Sequence, residues 1–267
     1  MRKFLSALLL AVALVAVMAS SAFAQAPQGI YVGDQSQVNS DFQWLKSIGM
    51  QFVITQPSEA AANAAAANGL GVYWNIDYRG GNSAYNGEAA MINKPVTWGW
   101  YIADEPPSSD VATLNNFQFG VKWVDPQKRP TLAVHWGCTY SAARGSAWPF
   151  RFTEDQIGTD CYPLVDNSSS TSYACSAYRG GASVASDSGY KLNWDVVQAA
   201  SWNSMGGGPS GSRTPLPSEM AAMRNCAVMK AGARFVAYYS LDSVKKDGPL
   251  QMDRLRRAVQ AAWPPCC

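Results

Sequence analysis

The chain has 267 residues, of which 48% are hydrophobic and 15% are charged, a composition typical of a globular protein and not of a disordered or fibrous one. Lysine and arginine number 21 against 19 aspartate and glutamate residues, a balance that does not favour binding to nucleic acid or to anionic membranes. The single histidine argues against a multi-histidine zinc or iron site.

The first 24 residues have the pattern of a secretory signal. Arg2 and Lys3 precede an apolar run over residues 4–18, and small residues up to Ala24 form a cleavage site. No later stretch approaches the roughly 18 apolar residues of a membrane span, and no cysteine directly follows the signal to carry a lipid. We therefore expect a secreted or periplasmic protein whose mature domain covers residues 25–267.

The six cysteines all lie in this mature part. They are Cys138, Cys161, Cys175, Cys226, Cys266 and Cys267. An oxidising destination favours disulfides, and six cysteines allow 15 pairings among which the sequence does not choose. A zinc–thiolate site is the alternative, but no two cysteines have the spacing of a zinc knuckle.

Short β-rich runs alternate with helical patterns along the mature chain, which is typical of βα units and a parallel sheet. Eight such runs occur, at residues 29–33, 51–55, 71–76, 97–103, 131–136, 157–161, 194–201 and 234–241. Pro57, Pro217 and Pro249 open helical segments, and Gly49 and Gly232 follow two helices as stop signals. The order predicts an α/β fold, a single (β/α)8 TIM barrel, with elaborated loops after strands six and seven.

The fourth predicted strand ends in two carboxylates. Alternation along this strand places Glu105 with the small or polar residues of one face and Asp104 on the opposite face. That opposite face also holds bulky side chains expected against the helices, those of Trp98, Trp100 and Ile102. The same argument turns Asp160 inward on the sixth strand. Because even-numbered strands share layers in such a barrel, we expect Glu105 and Asp160 to face each other.

Two facing carboxyl groups suit glycoside hydrolysis, in which one protonates the leaving oxygen and the other acts as nucleophile or base. Glu105 is then the candidate general acid, Asp160 the candidate nucleophile or base, and Asp104 the group that tunes the pair. The alternative is structural, since Asp104 and Glu105 would also serve to end a strand and cap the following helix.

Aromatic and polar side chains near the strand ends are candidates for substrate binding, because aromatic faces stack on sugar rings while polar neighbours bind hydroxyl groups. The aromatic candidates are Trp74, Trp136, Tyr162, Trp202 and Tyr239, and the polar ones are Asp77, His135, Gln198 and Asp242. Core packing and loop capping are the structural alternatives for these residues. His135 is equally a candidate for a buried, hydrogen-bonded histidine.

Other chemistries lack their motifs. The chain has no Gly-x-Ser-x-Gly elbow for a serine hydrolase and no phosphate-binding loop. We therefore expect neither an organic cofactor nor a metal. The expected partner is a carbohydrate substrate, bound by a monomer.

The segments Trp100 to Pro106 and Asp160 to Pro163 resemble those of secreted TIM-barrel proteins of the glycoside hydrolase-like superfamily. The resemblance spans nearly the whole mature chain, and it implies a TIM barrel that acts on carbohydrate. The large clan of retaining barrel glycosidases places a nucleophilic glutamate after strand seven, where this chain has Gln198. Other barrel glycosidases use acids after strands four and six, the positions of Glu105 and Asp160.

Two functions therefore remain open at this level. The first is a secreted glycoside hydrolase of an oligo- or polysaccharide. The second is a carbohydrate-binding barrel without turnover, which the absence of a glutamate at Gln198 favours. An ester or amide hydrolase is a third option, disfavoured because the sequence offers no credible nucleophile and base.

Overall fold

The computed structural model describes residues 25–164, 170–189, 191–206 and 213–263. The predicted signal at residues 1–24 lies outside this part of the chain, as do Cys266 and Cys267. Within these ranges, no helix combines the length and the apolar character that a membrane span requires.

Eight parallel strands close into a barrel in chain order, with the first strand paired to the last. They are β1 (Gln28–Val32), β2 (Phe52–Thr55), β3 (Gly71–Asn75), β4 (Thr97–Asp104), β5 (Thr131–Trp136), β6 (Gln156–Asp160), β7 (Leu192–Gln198) and β8 (Phe235–Tyr239). The predicted (β/α)8 TIM barrel is confirmed. Because all strands run in one direction, their carboxyl ends open on a single face.

Helices cover the outside of the barrel. Those in the described ranges are α1 (Val38–Ile48), α2 (Glu59–Asn68), α3 (Asn82–Met91), α4 (Val111–Val124), α5 (Tyr140–Ala147), α6 (Ser172–Asp187), α7 (Trp202–Met205), α8 (Pro217–Ala231), α9 (Leu241–Lys246) and α10 (Pro249–Gln260). The helix α2 shows why they form where they do. Ser58 accepts a hydrogen bond from the Ala61 amide at its start, and Gly69 adopts a φ of 60° at its end.

The core has one layer inside the barrel and another between the sheet and the helices. On the amino-terminal side, the inside is filled by the rings of Phe52, Tyr73, Trp194 and Phe235, whose centroids lie 4.4 to 6.2 Å apart. Burying a large apolar side chain of this kind contributes roughly 1.5–3 kcal/mol. These four rings fill the amino-terminal end of the barrel interior, so the carboxyl-terminal face is the open end of the barrel.

An irregularity near the end of β4 overturns the predicted alternation. Tyr101 and Ala103 take consecutive pairing positions along β5, so Ile102 is an extra, bulged residue. A bulge shifts the alternation by one residue. Ala103 therefore joins the outer core and Asp104 turns to the inside, where Tyr101 also lies. The prediction that Asp104 faces the helices is wrong because the bulge shifts the inside–outside alternation of β4 by one residue.

A second irregularity lies at the start of β4, where the pairing with β3 skips Trp98. The Trp98 ring packs at 6.3 Å from the ring of Phe52, which belongs to the inner layer. The prediction that Trp98 faces the helices is therefore also wrong. Trp100 and Ile102 do lie in the outer core, as the alternation predicted.

Two disulfides tie the outer elements together. Cys138–Cys161 joins the segment after β5 to the residue after β6, and Cys175–Cys226 joins α6 to α8. The predicted disulfide bonding is confirmed for these four cysteines. Because Cys161 directly follows Asp160, the first bridge anchors the carboxyl end of β6.

Candidate functional site

Three carboxyl groups meet at the open face of the barrel. Asp104 ends β4, Glu105 follows it, and Asp160 ends β6. Each carboxyl group changes the pKa of at least one of the others. The pKa of Tyr239 on β8 is raised most by burial and then by the charges of all three carboxyl groups. The structure thus gathers the acidic residues that the sequence placed on two separate strands.

Glu105 has a left-handed backbone with a φ of 45°. This conformation costs a non-glycine residue on the order of 1–3 kcal/mol and is concentrated at functional sites. The Glu105 amide donates a hydrogen bond of 2.8 Å to the carbonyl of Val134, and the side chain is exposed at the rim. Partial desolvation and the charge of Asp104 raise the pKa of Glu105, while its interaction with Asp160 opposes the rise.

Asp104 is half-buried beneath this rim. The Tyr101 hydroxyl donates a hydrogen bond of 2.5 Å to Asp104 Oδ1. Burial raises the pKa of Asp104, whereas this hydrogen bond and the charge of Arg79 lower it. Opposing influences therefore keep Asp104 more acidic than its burial alone would make it.

Asp160 is the most enclosed of the three, with 2% of its surface exposed. The Tyr162 hydroxyl donates to Asp160 Oδ2 at 3.1 Å. Burial raises the pKa of Asp160 well above its usual range, and the charges of Glu105 and Asp104 raise it further. Burial and the two neighbouring charges therefore make Asp160 the carboxyl whose pKa is raised most strongly.

Arg79 is a site residue that the sequence analysis missed. It accompanies Asp77, whose Oδ1 accepts hydrogen bonds from the Arg79 amide at 2.9 Å and from Nε at 2.7 Å. Arg79 Nη2 binds Asp77 Oδ2 at 2.5 Å and the Asp104 carbonyl at 2.8 Å. Asp77 therefore holds a cation against the end of β4. No motif surrounds Arg79, so only the fold could reveal it.

Four tyrosines line the floor between the carboxyl groups, and two of them were not predicted. The centroids of the Tyr31 ring and the Tyr101 ring lie 5.3 Å apart, and Tyr31 and Tyr239 are separated by 5.2 Å. Tyr162 continues the row at 5.6 Å from Tyr239. Burial raises the pKa of all four, so their hydroxyl groups stay neutral and can donate hydrogen bonds.

Two of the predicted tryptophans stand at the same face. Trp136, the last residue of β5, is 47% exposed and pairs with Asp160 in the sheet. Trp202 is half-buried, and its Nε1 donates to the Tyr162 carbonyl at 2.7 Å. The Trp202 ring packs with its centroid 6.0 Å from that of the Tyr162 ring.

Trp74 and His135 lie in the outer core instead. Trp74 is fully buried, with its Nε1 donating to the Thr97 hydroxyl at 2.8 Å. The buried His135 shares a hydrogen bond of 3.2 Å with Glu154, and its ring packs 5.1 Å from that of Phe150. Neither side chain has surface to offer a ligand. The prediction of substrate contact is corrected for both, because they point away from the barrel interior.

Gln198 and Asp242 are engaged in loop anchoring. Gln198 accepts from the Leu164 amide at 2.8 Å and donates to the carbonyls of Leu164 and Ala200. Its amide is buried, so its predicted contact with substrate is also corrected. Asp242 Oδ2 accepts from the amides of residues 33–34 at 2.8 and 3.1 Å, which fixes the loop after β1.

No group of three or more metal-ligating side chains is arranged to hold a metal ion within the ranges that the structure describes. The carboxyl and hydroxyl groups of the site offer acid–base chemistry. It comprises one exposed carboxyl, one half-buried carboxyl and one buried carboxyl within a ring of neutral hydroxyl groups.

No protein-family model matches the chain, and no curated protein matches it in sequence. Solved structures do match in fold. The β-glucuronidase of Bifidobacterium dentium has 15% identity and a TM-score of 0.56, with 80% of this chain and 40% of that chain covered. This chain thus spans less than half the length of that enzyme.

Two other structures match over most of both chains. An active-site mutant of the Rhizomucor miehei β-1,3-glucanosyltransferase in complex with laminaritriose has 16% identity and a TM-score of 0.55, covering 80% of this chain and 86% of that chain. A GH99 endo-α-mannosidase from Bacteroides thetaiotaomicron has 12% identity and a TM-score of 0.54, covering 78% and 70%. At such identities the likeness shows the fold. The shared fold is a barrel of eight parallel strands, and no single family is indicated.

Proposed function

We propose that the protein is a secreted glycoside hydrolase that cleaves O-glycosidic bonds of an oligo- or polysaccharide. The observation that carries the proposal is the group of three carboxyls with raised pKa values at the open face of the barrel. Functional sites are where such perturbed groups collect. The two disulfides support an oxidising destination, and several structures with this fold are carbohydrate-active enzymes.

Glu105 is the proposed general acid because it is the carboxyl exposed toward a ligand. In the free protein the buried Asp160 holds the proton more strongly. A sugar ring that covers Glu105 removes its remaining solvent and raises the pKa of Glu105, since desolvation penalises the charged form. Substrate binding therefore shifts the proton from Asp160 toward Glu105 and prepares the acid.

The bond changes follow from this arrangement. Glu105 gives its proton to the glycosidic oxygen as the bond from that oxygen to the anomeric carbon breaks. Asp160, now ionised, acts in one of two ways. As a nucleophile it attacks the anomeric carbon, and a water that gives its proton to the Glu105 carboxylate then hydrolyses the glycosyl ester and frees Asp160. As a base it takes a proton from a water that attacks the anomeric carbon directly. Tyr101 and Arg79 lower the pKa of Asp104 against the effect of its burial, and the charge of Asp104 raises the pKa of Glu105.

Sugar binding is assigned to the aromatic side chains at the face. Trp136, Trp202, Tyr162 and Tyr239 offer ring faces for stacking, and the two tyrosines also carry hydroxyl groups. Asp77 and Asp242 act indirectly, because their carboxylates already hold Arg79 and the β1 loop.

A carbohydrate-binding barrel without turnover is the second candidate. Two observations favour it. Gln198 occupies the end of β7 with its amide bound to backbone, so that strand supplies no carboxylate. Asp160 is almost fully enclosed, which limits its access to an anomeric carbon.

The test is release of reducing sugar from a broad panel of polysaccharides by the mature protein, alongside Glu105→Gln and Asp160→Asn. Asp187→Asn is the matched control, since Asp187 forms a surface ion pair with Arg144. We expect the wild type and the control to release sugar and both site variants to lose activity by several orders of magnitude. Binding of a glycan with no release by the wild type would support the binding barrel instead. The anomeric configuration of the first product separates a nucleophilic Asp160, which retains it, from a basic one, which inverts it.

A further inference from the structure

A cleft of about 470 Å³ lies at the carboxyl ends of β2 and β3, and β3 pairs with the strand β4 that carries Asp104. Its volume is in the range of about 300–1,000 Å³ typical of ligand sites. Neighbouring strands are about 4.8 Å apart, so the cleft opens roughly 5–10 Å from the end of β4. It is a separate depression from the floor of tyrosines.

The polar lining of this cleft consists of uncharged groups and one neutralised acid. Its uncharged polar lining residues are Gln56, Asn75, Ser83 and Asn86. Asp77 also lines it, but the carboxylate of Asp77 is held by Arg79 through both oxygens. The cleft therefore offers hydrogen-bond donors and acceptors with no unpaired charge in its lining.

A direct chain of contacts connects the cleft to the proposed acid. Asp77 on the cleft wall holds Arg79, and Arg79 donates to the Asp104 carbonyl next to Glu105. In the sheet, Asn75 pairs with Tyr101, whose hydroxyl binds Asp104. A molecule that fills the cleft thus lies along the rim that leads to Glu105.

We propose that this cleft is a distal subsite for an uncharged, hydroxyl-rich sugar unit, so that the enzyme prefers a neutral oligo- or polysaccharide extending over β2 and β3. Amide and hydroxyl groups match the hydroxyls of such a sugar, and the half-buried Pro57 supplies apolar surface for its C–H face. This inference rests on the proposed glycosidase function, because it names the substrate class of the same site.

The test fills the cleft with Ser83→Trp, at an exposed position in the first turn of α3. Ala89→Trp is the matched control, since Ala89 is exposed on the same helix and does not line the cleft. The readout is kcat/KM for a disaccharide and a hexasaccharide of the neutral polysaccharide that the wild type cleaves. We expect Ser83→Trp to lower the value for the hexasaccharide by about tenfold more than for the disaccharide, and Ala89→Trp to change neither.

Binding measurements test the subsite independently of whether the protein hydrolyses a glycan. Calorimetric titration with neutral gluco-, manno- and xylo-hexasaccharides, and with a galacturonate hexasaccharide as the charged control, needs no turnover. If no glycan is cleaved but a neutral hexasaccharide binds and Ser83→Trp abolishes that binding, the hydrolase proposal fails and the subsite stands. Two kinetic results would overturn the subsite: a kcat/KM that does not depend on chain length, or a Ser83→Trp variant with unchanged kcat/KM for the hexasaccharide. Two binding results would also overturn it: equal binding of the galacturonate hexasaccharide, or no binding of any neutral hexasaccharide.

Discussion

The Tyr101 hydroxyl donates a hydrogen bond of 2.5 Å to Asp104 Oδ1, three residues further along the same strand. In a regular strand, residues three apart point to opposite faces. The bulge at Ile102 puts both on the inside. The bulge therefore turns Asp104 inward, and Glu105, whose φ of 45° departs from the strand geometry, still reaches Asp160 at the same face of the barrel.

Replacement of Tyr101 by phenylalanine removes the hydrogen bond that lowers the pKa of Asp104. The pKa of Asp104 then rises, and the acid limb of the pH–activity profile moves to higher pH. A hydrogen bond to a charged group contributes about 1.5–3 kcal/mol, so we expect kcat/KM to fall by roughly 10- to 100-fold near the optimum. Tyr73→Phe, in the inner layer on the amino-terminal side, is the control. An unchanged pH profile in Tyr101→Phe would refute the role of this hydrogen bond.

Glu88 of α3 is buried, and neither of its carboxyl oxygens has a hydrogen-bond partner within the part of the chain that the structure describes. Burial and the negative charge of Asp125 raise its pKa to about 8. The folded state therefore binds a proton that the unfolded state releases from its ordinary pKa of 4.5 upward. The free energy of unfolding therefore falls as the pH rises from 4.5 to about 8. Above about pH 8, the loss of stability caused by burying the charged Glu88 stays constant.

Glu88→Gln should remove this pH-dependent penalty. We expect little change in the free energy of unfolding near pH 4.5 and a gain of up to a few kcal/mol near pH 8, measured by denaturant titration at both pH values. Glu59→Gln, at an exposed position on α2, should change stability little at either pH. An equal gain at both pH values would mean that the charge of Glu88 is not the cause.

The two disulfides should differ in their effect on activity. Their sequence separations of 23 and 51 residues correspond to stabilisations of roughly 3.5 and 4 kcal/mol in the chain-entropy account. Replacing either pair by serine should lower Tm. Only the Cys138 and Cys161 pair adjoins Asp160, so only its removal should lower kcat per folded molecule. Equal kcat in both double variants would show that the first bridge does not order the end of β6.

Trp136 should contribute to the binding of sugar. Its ring is 47% exposed at the open face. Loss of one stacking contact is worth about 0.5–1.5 kcal/mol, so Trp136→Ala should raise KM by roughly 2- to 10-fold with little effect on Tm. The matched control is Trp123→Ala, because Trp123 is 76% exposed on α4. Equal changes in both variants would exclude a specific platform.

The barrel could be predicted because its signals are local. Each strand is a short run of β-forming residues, and the helix starts at Ser58 and Pro217 carry caps or prolines that act within one turn. The positions of Glu105 and Asp160 at strand ends followed from the same pattern. Neither prediction required knowledge of which residues pair across the sheet.

The side chains that surround the three carboxyl groups could not be predicted, because they come together only through contacts between strands that are distant in sequence. Tyr31 and Tyr239 meet only when β1 pairs with β8. Arg79 reaches the end of β4 from the turn after β3, with no motif to mark it. Trp74 and His135 stand near strand ends like the true rim residues, but their side chains point to the outer layer.

The sequence by itself determined the eight strands, the order of strands and helices, and the acids that end β4 and β6, since each depends on neighbours a few residues away. Only the tertiary structure decided the direction of Asp104, the proton affinity of Asp160 and the use of Gln198 as a backbone anchor. The physical reason is that register, burial and charge proximity arise when the barrel closes. They belong to pairs of residues brought together by the fold, and the local pattern around either residue does not contain them.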